Sequence, residues 1–361
     1  MRGGPDPVSG RMAPSAMSSA ALDRLLALLV VAMAATGLLS LRAGAPADAW
    51  LFAAHGLLAG ALALAVALKV RRSVPRALVG RPGGRRIARL ALGLTVALVA
   101  VAALAAGYLW VALGELVWLD VPAIGRWTVL TLHAWVGLVL VPLVLTHLLP
   151  SRWRLLRPGA RAVQRARGRL LTRRALLAGG MLGLAGAAAW AGAGAIELAR
   201  GGTRRFTGSR WMPAGGVPIP TTFFGEGTPE IDPATWRLSV TGAVGRPARW
   251  SLDELRALGD EERTAVLDCT SGWALETAWR GVPLSVLLAA SVVAPAASRV
   301  EVRSITGWST SLSLADVDGC LLAWSVADEP LPAANGAPLR LVAPNRRGLE
   351  WVKWIAEIRL S

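Results

Sequence analysis

Long apolar runs separated by short polar loops dominate the first half of the chain. Five of these runs are apolar on every face of a helix, and each is near or above the ~20 residues that a helix needs to cross a bilayer. They span roughly residues 22–41, 50–68, 90–113, 127–149 and 175–198. The pattern predicts an all-α transmembrane bundle of five helices. A buried bundle in a soluble protein is the disfavoured alternative, because its surface helices would have a polar face.

The pattern changes at residue 223, where short segments with strand or helix periodicity replace the long apolar runs. Strands are predicted at 235–244, 265–269, 299–305 and 339–344, and helices at 251–258 and 283–291. Ser251 and Glu254 form a capping-box pattern at the start of the first of these helices. Strands and helices mix without regular βαβ alternation, so the pattern predicts an α+β domain.

The net charge of +16 is unevenly distributed. Residues 1–199 contain 22 of the 39 basic residues but only 6 of the 23 acidic ones. The excess lies in short loops between apolar runs, mainly 69–89 and 150–174, and not on one folded face as in a nucleic-acid-binding protein. Basic loops stay in the cytoplasm. We therefore expect a multi-pass protein of the cell membrane, with a cytoplasmic N-terminus and an extracytoplasmic C-terminal domain.

These boundaries divide the chain into six parts. They are a cytoplasmic tail (1–21), a four-helix membrane domain (22–149), a basic cytoplasmic loop (150–174), a fifth transmembrane helix (175–198), an exposed linker rich in Gly, Pro and Arg (199–222) and the C-terminal domain (223–361). Arg173 and Arg174 precede a small-residue segment, which resembles a twin-arginine export signal placed inside the chain. A basic cluster ahead of an ordinary helix explains the pair equally well. Under the export interpretation, the export machinery is a partner and the C-terminal domain crosses the membrane folded.

All three histidines lie in the predicted membrane domain. His55 and His133 are each near the start of a helix that enters from the outside, so they are expected at similar depth. His147 follows His133 by 14 residues, which is ~21 Å along the helix and within ~40° of the same face. Two imidazoles facing each other are good axial ligands for a haem iron. Hydrogen bonding between helices is the alternative role of each.

Residues 22–149 resemble cytochrome b-type four-helix haem domains, in which histidines 13 or 14 apart on one helix often serve two haems. The resemblance implies a b haem held by His55 and His133. A second haem at His147 would need a partner near position 69, which is Lys69. We therefore expect one b haem. His147 is kept as a candidate ligand of a second one or as part of a quinone site.

The chain has two cysteines, which exclude a disulfide framework. Cys269 ends the predicted strand 265–269. Without its surrounding motifs, this cysteine would be interpreted as an inert buried thiol or as half of a Cys269–Cys320 disulfide. Several motifs then occur in order: "DPATWRLSVTGAVGRP", "LDCTSGW", "AWRGVPLSVLL", "GWSTSLSL" and "LLAWSVADEPLPAANGAPLRLVAPNRRGLEWVKWIAEIRL". Together they resemble the oxidoreductase molybdopterin-binding domain, the fold shared by sulfite oxidases and the catalytic subunit of periplasmic methionine sulfoxide reductase. The resemblance covers residues 223–361.

This resemblance implies a molybdenum–molybdopterin cofactor with Cys269 as the single protein thiolate on the metal, since the pterin supplies the other sulfurs. Lys353 corresponds to a pterin-contacting lysine and Arg340 to an arginine of the metal pocket. The weaker candidates are Arg303, Arg346 and Arg347, for which a solvated surface charge is the alternative. Cys320 is interpreted as a small core residue.

The segment "PTTFFGEGTP" stands where sulfite oxidases often have Arg-Asn-His, which puts sulfite in doubt as the substrate. Asn335 also stands where relatives often have His. The fusion of the two domains resembles, in one chain, the two-subunit methionine sulfoxide reductase system, so we expect an enzyme that exchanges electrons between membrane quinol, haem and molybdenum and reduces a small-molecule or protein S-oxide. The alternatives are a dehydrogenase that feeds quinone and a docking module without a working cofactor site.

Overall fold

The computed structural model describes residues 19–78, 84–113, 115–121, 125–156, 173–199, 201, 204–221 and 227–361. Five long helices lie in the first part of the chain. They are α1 (Ser19–Ser40), α2 (Ala49–Leu78), α3 (Gly84–Ala112), α4 (Val129–Leu156) and α5 (Arg173–Ala199). Each coincides with one of the five predicted apolar runs. Most of the predicted tail 1–21 and of the basic loop 150–174 lies outside the described residues.

Four of these helices are long and apolar enough to cross a membrane. The candidate spans are Ala21–Ser40, Pro46–Ser73, Leu90–Ala112 and Val129–His147. In α5 the apolar stretch among the described residues is shorter, Leu184–Ala199. Four of the five predicted membrane helices are therefore confirmed by length and composition, and the fifth stays a prediction.

The chain clusters into two compact units, and the division cuts across the helices. The first unit contains Met1–Met33, Gly56–Val101 and Leu138–Ala191. The second contains Ala34–His55, Ala102–Gly137 and Gly192–Ser361. The second unit therefore combines one end of each of α1 to α4 with the whole C-terminal domain. It also contains a hairpin of β1 (Trp118–Val121) and β2 (Gly125–Thr128) between α3 and α4.

The C-terminal domain contains two sheets. The first has six strands: β3 (Arg210–Trp211), β6 (Glu261–Asp268), β7 (Trp273–Pro283), β10 (Leu321–Val326), β11 (Glu329–Pro330) and β12 (Arg340–Val342). The second has five strands in the order β5 (Ala248–Trp250), β4 (Leu238–Gly242), β13 (Ile355–Leu360), β8 (Arg299–Ser304) and β9 (Ser309–Ser313). The C-terminal strand β13 pairs in parallel with β4 and antiparallel with β8. The α+β prediction is confirmed.

The predicted local elements occur where the sequence placed them. Helix α6 (Leu252–Leu258) begins after Ser251, whose hydroxyl accepts from the Glu254 backbone N–H while the Glu254 carboxylate accepts from the Ser251 N–H. Helix α7 (Leu284–Ser291) follows β7 directly. One continuous core buries apolar side chains of both sheets, including Leu238, Leu267 and Ile358. Each fully buried leucine or isoleucine contributes about 1.5–3 kcal/mol.

The segment 204–221 differs from the exposed linker that its composition predicted. Its strand β3 extends the first sheet by pairing in parallel with β7. Thr207, Ser209 and Arg210 are buried. The Gly, Pro and Arg content of this segment outweighs its few apolar side chains, of which Met212 and Ile219 pack against the core. Backbone pairing and polar contacts with the end of β6 also hold it in place.

Candidate active site

The cysteine lies in a tight turn that joins β6 to β7. The Cys269 backbone N–H donates to the Trp273 carbonyl at 2.8 Å, and the Gly272 N–H donates to the Cys269 carbonyl at 2.9 Å. Gly272 has φ +97°, a left-handed conformation that favours glycine. The turn places the cysteine directly after a buried strand, where the rigid sheet fixes its position.

The Cys269 thiol has a polar environment on one side. The cysteine is 8% exposed, the Thr221 hydroxyl is 3.3 Å from its sulfur, and the Ser271 N–H donates to the same sulfur at 3.5 Å. Both cysteines are free, so the structure contains no Cys269–Cys320 disulfide. Cys320 lies in the apolar core, and burial raises the pKa of its thiol to about 11. The two cysteines therefore have different environments.

The residue before the cysteine, Asp268, is the centre of a buried polar network. The Thr207 and Ser209 hydroxyls donate to its carboxylate at 2.8 and 2.6 Å. Two guanidinium groups form ion pairs with it: Arg347 at 3.0 Å and Arg205 at 3.2 Å. Such a carboxylate tolerates burial because both oxygens have hydrogen-bonding partners. Asp268 therefore holds the end of β6 against the segment 204–221.

Arg347 connects this network to the cysteine. Its guanidinium is buried and donates to the Cys269 carbonyl at 3.3 Å, and burial lowers its pKa. The sequence named Arg347 only as a weak candidate and missed Asp268. An acidic residue at the end of an otherwise apolar strand was the available signal for Asp268, because a buried carboxylate requires a cationic partner.

The cysteine turn also contacts the ends of two membrane helices within the same compact unit. The Thr128 hydroxyl, next to the start of α4, donates to the Ser271 carbonyl at 2.7 Å. A Cβ added at Gly272 would lie 2.5 Å from the indole of Trp110 in α3. Only glycine allows the turn to approach the Trp110 ring this closely. The cysteine turn thus contacts α3 and the residue before α4 in addition to its neighbours in the C-terminal domain.

Arg340 is a buried cation without a carboxylate partner among the described residues. Its guanidinium donates to the carbonyls of Asn335 at 2.9 Å and Trp351 at 3.4 Å. It stacks 5.0 Å from the ring of Trp279 and 5.9 Å from that of Trp351. Burial lowers its pKa to about 10, and the nearby Cys269 opposes this shift. The positive charge therefore lies close to the cysteine, with Nε unbonded in the described structure.

Lys353 lies beside the same pocket. Its ammonium donates to the carbonyls of Thr221 at 2.7 Å and Ala334 at 2.8 Å. Gly336 has φ +115°, and a Cβ added there would lie 3.0 Å from the Lys353 Cβ and 3.1 Å from that of Arg340. A glycine at this position brings the stems of the two cations together. Thr221 thus contacts Lys353 through its carbonyl and Cys269 through its hydroxyl.

The structure separates Arg303 and Arg346 from these residues. Arg303 lies on β8 of the second sheet, has a side chain 42% exposed, and pairs with Glu301 at 3.0 Å. Arg346 pairs with Glu350 at 2.7 Å and with Asp316 at 2.9 Å. Both guanidinium groups are already satisfied by carboxylates, which fits the alternative of a surface charge for Arg303. Among the five basic candidates, the pocket at Cys269 contains Arg340, Arg347 and Lys353.

These residues fit an anionic molybdopterin cofactor. A buried guanidinium without a carboxylate costs several kcal/mol, and an anionic group in the pocket would offset this cost. A soft thiolate is a suitable ligand for a metal of this kind, and metal binding keeps it deprotonated. Cys269, Arg340 and Lys353 would hold the cofactor. Residues 222–226 of the "PTTFFGEGTP" segment lie outside the described part of the chain.

Two histidines of the membrane helices face each other. The ring centroids of His55 and His133 are 6.1 Å apart. His55 Nδ1 is 2.7 Å from the Thr36 hydroxyl, and His133 Nδ1 is 2.8 Å from the Ala103 carbonyl. A hydrogen bond at Nδ1 orients the ring and leaves Nε2 for a metal.

The spacing of the rings fits one iron between them. Two imidazoles on one metal have centroids about 6 Å apart, from bonds of ~2 Å plus the ring radii. A Cβ added at Gly107 would lie 3.0 Å from His133 Cε1, and one at Gly37 would lie 3.5 Å from His55 Cε1. Among the described residues no cluster of three or more His, Cys, Asp or Glu side chains could hold a metal ion. A haem, whose porphyrin supplies four ligands, needs only two.

His147 lies in the other compact unit, on the same helix as His133. A Cβ added at Gly93 would lie 3.2 Å from His147 Cε1. In that unit Lys69 forms an ion pair with Asp23 at 2.5 Å. The side chains of Arg173 and Arg174, at the start of α5, belong to the part of the chain that is not described.

Residues 225–361 match the family described as the oxidoreductase molybdopterin binding domain. The chain is 34% identical over 167 residues to the protein-methionine-sulfoxide reductase catalytic subunit MsrP of Gluconobacter oxydans, a match that covers 38% of this chain and 54% of that protein. The corresponding protein of Xanthomonas campestris is 32% identical over 164 residues, covering 38% and 51%. The chain spans about half the length of these curated relatives.

One solved structure is also similar. The sulfane dehydrogenase SoxCD of Paracoccus pantotrophus is 27% identical, with a TM-score of 0.36. The match covers 37% of this chain and 40% of that one.

Proposed function

We propose, on the premise that residues 225–361 are an oxidoreductase molybdopterin-binding domain, that the chain is a membrane-anchored molybdenum enzyme that reduces an S-oxide. The observation that supports this most directly is the buried Arg340 guanidinium beside Cys269, which has no carboxylate partner among the described residues. A pocket of this kind suits an anionic cofactor. The names of the curated relatives suggest methionine sulfoxide, free or in proteins, as the substrate class.

Each residue of the pocket has a defined part in this proposal. The molybdenum group would supply two-electron oxygen-atom transfer. Cys269 would bind the metal through its sulfur, which the Ser271 N–H and the Thr221 hydroxyl contact and orient. Arg340 and Lys353 compensate negative charge on the cofactor. Asp268 and Arg347 hold the backbone of the cysteine turn in place.

The membrane half of the proposal is a single b haem between His55 and His133. It rests on the facing rings and on the two Nδ1 contacts, which leave Nε2 of each ring for iron. The haem would supply one-electron transfer, and a membrane quinol is the proposed electron donor. The contacts of the cysteine turn with Thr128, the residue before α4, and with Trp110 of α3 support electron transfer between this haem and the molybdenum domain.

The proposed topology follows from the basic loops. Residues 69–89 and 150–174 carry many positive charges, so they would face the cytoplasm. With α5 as a fifth crossing, the C-terminal domain would lie outside the cytoplasm. Arg173 and Arg174 would then serve as a twin-arginine export signal or as a cytoplasmic anchor of α5. Labelling of single cysteines introduced at Ser73 and Ser313 with a membrane-impermeant reagent tests this topology.

The test of function is a pair of measurements on the purified full-length chain. Elemental analysis should give about one molybdenum and one iron per chain. Reduced viologen should then drive reduction of methionine sulfoxide or dimethyl sulfoxide. Turnover only with an artificial electron acceptor and a reduced sulfur compound would instead establish a dehydrogenase. A chain without molybdenum and without either activity would establish a docking module.

A further inference from the structure

Each of the four membrane helices places two notable residues 14 positions apart. The first set, which we call the haem layer, comprises Gly37, His55, Gly107 and His133. The second set, which we call the ion-pair layer, comprises Asp23, Lys69, Gly93 and His147. Fourteen residues are ~21 Å along a helix and return to within ~40° of the same face. The two layers are therefore equivalent by helical register.

The contacts of α1 with α2 and of α3 with α4 correspond in the two layers. In the haem layer α1 contacts α2 through Gly37 and His55, and α3 contacts α4 through Gly107 and His133. In the ion-pair layer α1 contacts α2 through Asp23 and Lys69 at 2.5 Å. There α3 contacts α4 through Gly93 and His147, with 3.2 Å from the added Cβ to Cε1. Each layer thus pairs the same helices, with a glycine against the α4 histidine in both.

The layers differ at the α1–α2 pair. Where the haem layer has a glycine and a histidine, the ion-pair layer has a carboxylate and an ammonium. The Asp23 side chain is 8% exposed and the Lys69 side chain 34% exposed, and both lie within candidate membrane spans. Buried charges are costly in a membrane and an apolar pair would be at least as stable, so an ion pair at this place indicates a functional site. The ion-pair layer has two ionisable side chains where the haem layer has a glycine and a histidine.

We propose that the ion-pair layer is the headgroup site for a membrane quinol, built on the framework of a second haem site. Lys69 provides hydrogen-bond donors, Asp23 an acceptor and His147 a group that can do either. These match the two hydroxyl groups of a quinol and the two carbonyls of its quinone. Gly93 has no side chain, so the His147 ring packs closely against α3 and is held at this layer.

This inference rests on the proposed function, and the redox balance follows from it. The quinol loses two electrons and two protons and becomes a quinone. The S-oxide gains the two electrons and two protons, its S–O bond breaks, and the products are a sulfide and water. A haem held by His55 and His133 would accept the electrons one at a time, and Asp23 and His147 would accept the protons that the quinol releases.

The first experiment neutralises the ion pair without changing its size. The purified double variant Asp23→Asn/Lys69→Gln is mixed with decylubiquinol or a short-chain menaquinol, and haem reduction is followed by stopped-flow absorbance. We expect at least a tenfold loss of rate, with the haem spectrum retained. The matched control is Asp120→Asn/Arg126→Gln, an ion pair of two exposed side chains in the β1–β2 hairpin, which should not alter the rate. An unchanged rate in the Asp23/Lys69 variant would overturn the proposal.

The second experiment converts the ion-pair layer into a copy of the haem layer. The variant Asp23→Gly/Lys69→His should bind a second haem, raise the iron content from one to two per chain, and lose quinol-driven reduction. Iron content that stays at one in a variant with an intact first haem would refute the haem-site framework. If this variant fails to fold, the Asn/Gln variant still decides the quinol assignment.

A failure of the proposed function can be distinguished from a failure of the quinol-site proposal. Viologen-driven S-oxide reduction and the metal content of the unmodified chain report on the molybdenum domain and the haem without any quinol. If those measurements succeed and the quinol experiments fail, the ion-pair layer is not the quinol site, and the assignment of the enzyme stands. If the unmodified chain lacks the metals or the viologen-driven activity, the proposed function is wrong, whatever the quinol experiments show.

Discussion

The two candidate centres of this molecule are assembled in different ways. The His55–His133 pair comes from two straight helices, and its supporting residues Gly37 and Gly107 lie on two more. The Cys269 pocket combines side chains from the segment 204–221, from β6 and from residues 335–353. Helical register, which sets the first arrangement, is a local property. Long-range pairing of strands and loops sets the second.

The difference concerns which interactions position each centre. In the helices, backbone hydrogen bonds are satisfied within each segment, so a ring is positioned by its place along the helix and one contact at Nδ1. In the C-terminal domain, buried charges must be matched by partners from distant parts of the chain. Asp268 needs Arg205, Arg347 and two hydroxyls, none of which is within 50 residues of it in sequence. Changes at the two centres should therefore have different consequences.

The largest expected effect is at the cysteine. Cys269→Ser should remove the thiolate ligand, and we expect at least a thousandfold loss of S-oxide reduction together with loss of molybdenum. Haem content should remain, since the histidine pair does not depend on this sulfur. Cys320→Ala is the control and should retain both metals. Full molybdenum occupancy in Cys269→Ser would contradict the assignment.

The next effect tests the helical centre in the same way. His133→Leu and His55→Leu should each lose the haem, seen as loss of the Soret band and of iron. Molybdenum content and viologen-driven turnover should persist. His147→Leu should keep the haem because this residue belongs to the ion-pair layer. Loss of haem in His147→Leu with retention in His133→Leu would reverse the assignment of the two layers.

A third effect concerns the buried network of the C-terminal domain. Asp268→Ala would leave the Arg347 and Arg205 guanidiniums buried without their carboxylate, which we expect to destabilise the folded chain by about 3–5 kcal/mol. Thermal or denaturant unfolding followed by tryptophan fluorescence measures this. Asp253→Ala removes an exposed carboxylate paired with Arg256 and should leave the unfolding midpoint unchanged. Equal midpoints for the two variants would show that the network is not stabilising.

A fourth prediction separates cofactor binding from the stability of the folded chain. Arg340→Met should lower molybdopterin occupancy about tenfold, because it removes a cation that faces the cofactor. In the cofactor-free chain, from a host that makes no molybdopterin, the same change should not destabilise, since it removes a buried charge without a carboxylate. Arg303→Met, at an exposed ion pair, should leave occupancy unchanged. A loss of stability in cofactor-free Arg340→Met would show that the guanidinium has a structural role.

The smallest predicted effect concerns the reactivity of the second cysteine, Cys320. Burial raises the pKa of Cys320 to about 11, so its thiolate fraction at pH 8 is small. In the Cys269→Ser variant, alkylation of Cys320 by iodoacetamide at pH 8 should be about a hundredfold slower than that of an ordinary thiol. Its contribution to stability is complete below pH 9 and is lost as the pH rises through 11, because the unfolded chain releases the proton first. Rapid alkylation of the folded chain would contradict the buried environment.

Local information in the sequence determined much of the fold. Apolar length predicted the four membrane helices, because a helix that crosses a bilayer must be apolar throughout. The Ser251–Glu254 pair predicted the start of α6, because a capping box satisfies backbone N–H groups of two residues that are three positions apart. The order of motifs predicted the molybdopterin-binding domain and placed Cys269 at the end of a strand. The first two features depend on residues close together in the chain, whereas the third rests on the family resemblance of motifs spread over residues 223–361.

Only the tertiary structure decided which charges meet. The resemblance ranked Arg340 above the other arginines, but nothing in the sequence distinguished Arg347, which is buried and contacts Cys269, from Arg303 and Arg346, which pair with carboxylates elsewhere. The sequence also represented 204–221 as a linker, whereas Thr207 and Ser209 are buried against Asp268. A buried polar group is stable only beside partners that folding brings from distant parts of the chain. Such partners leave no periodic pattern in the sequence.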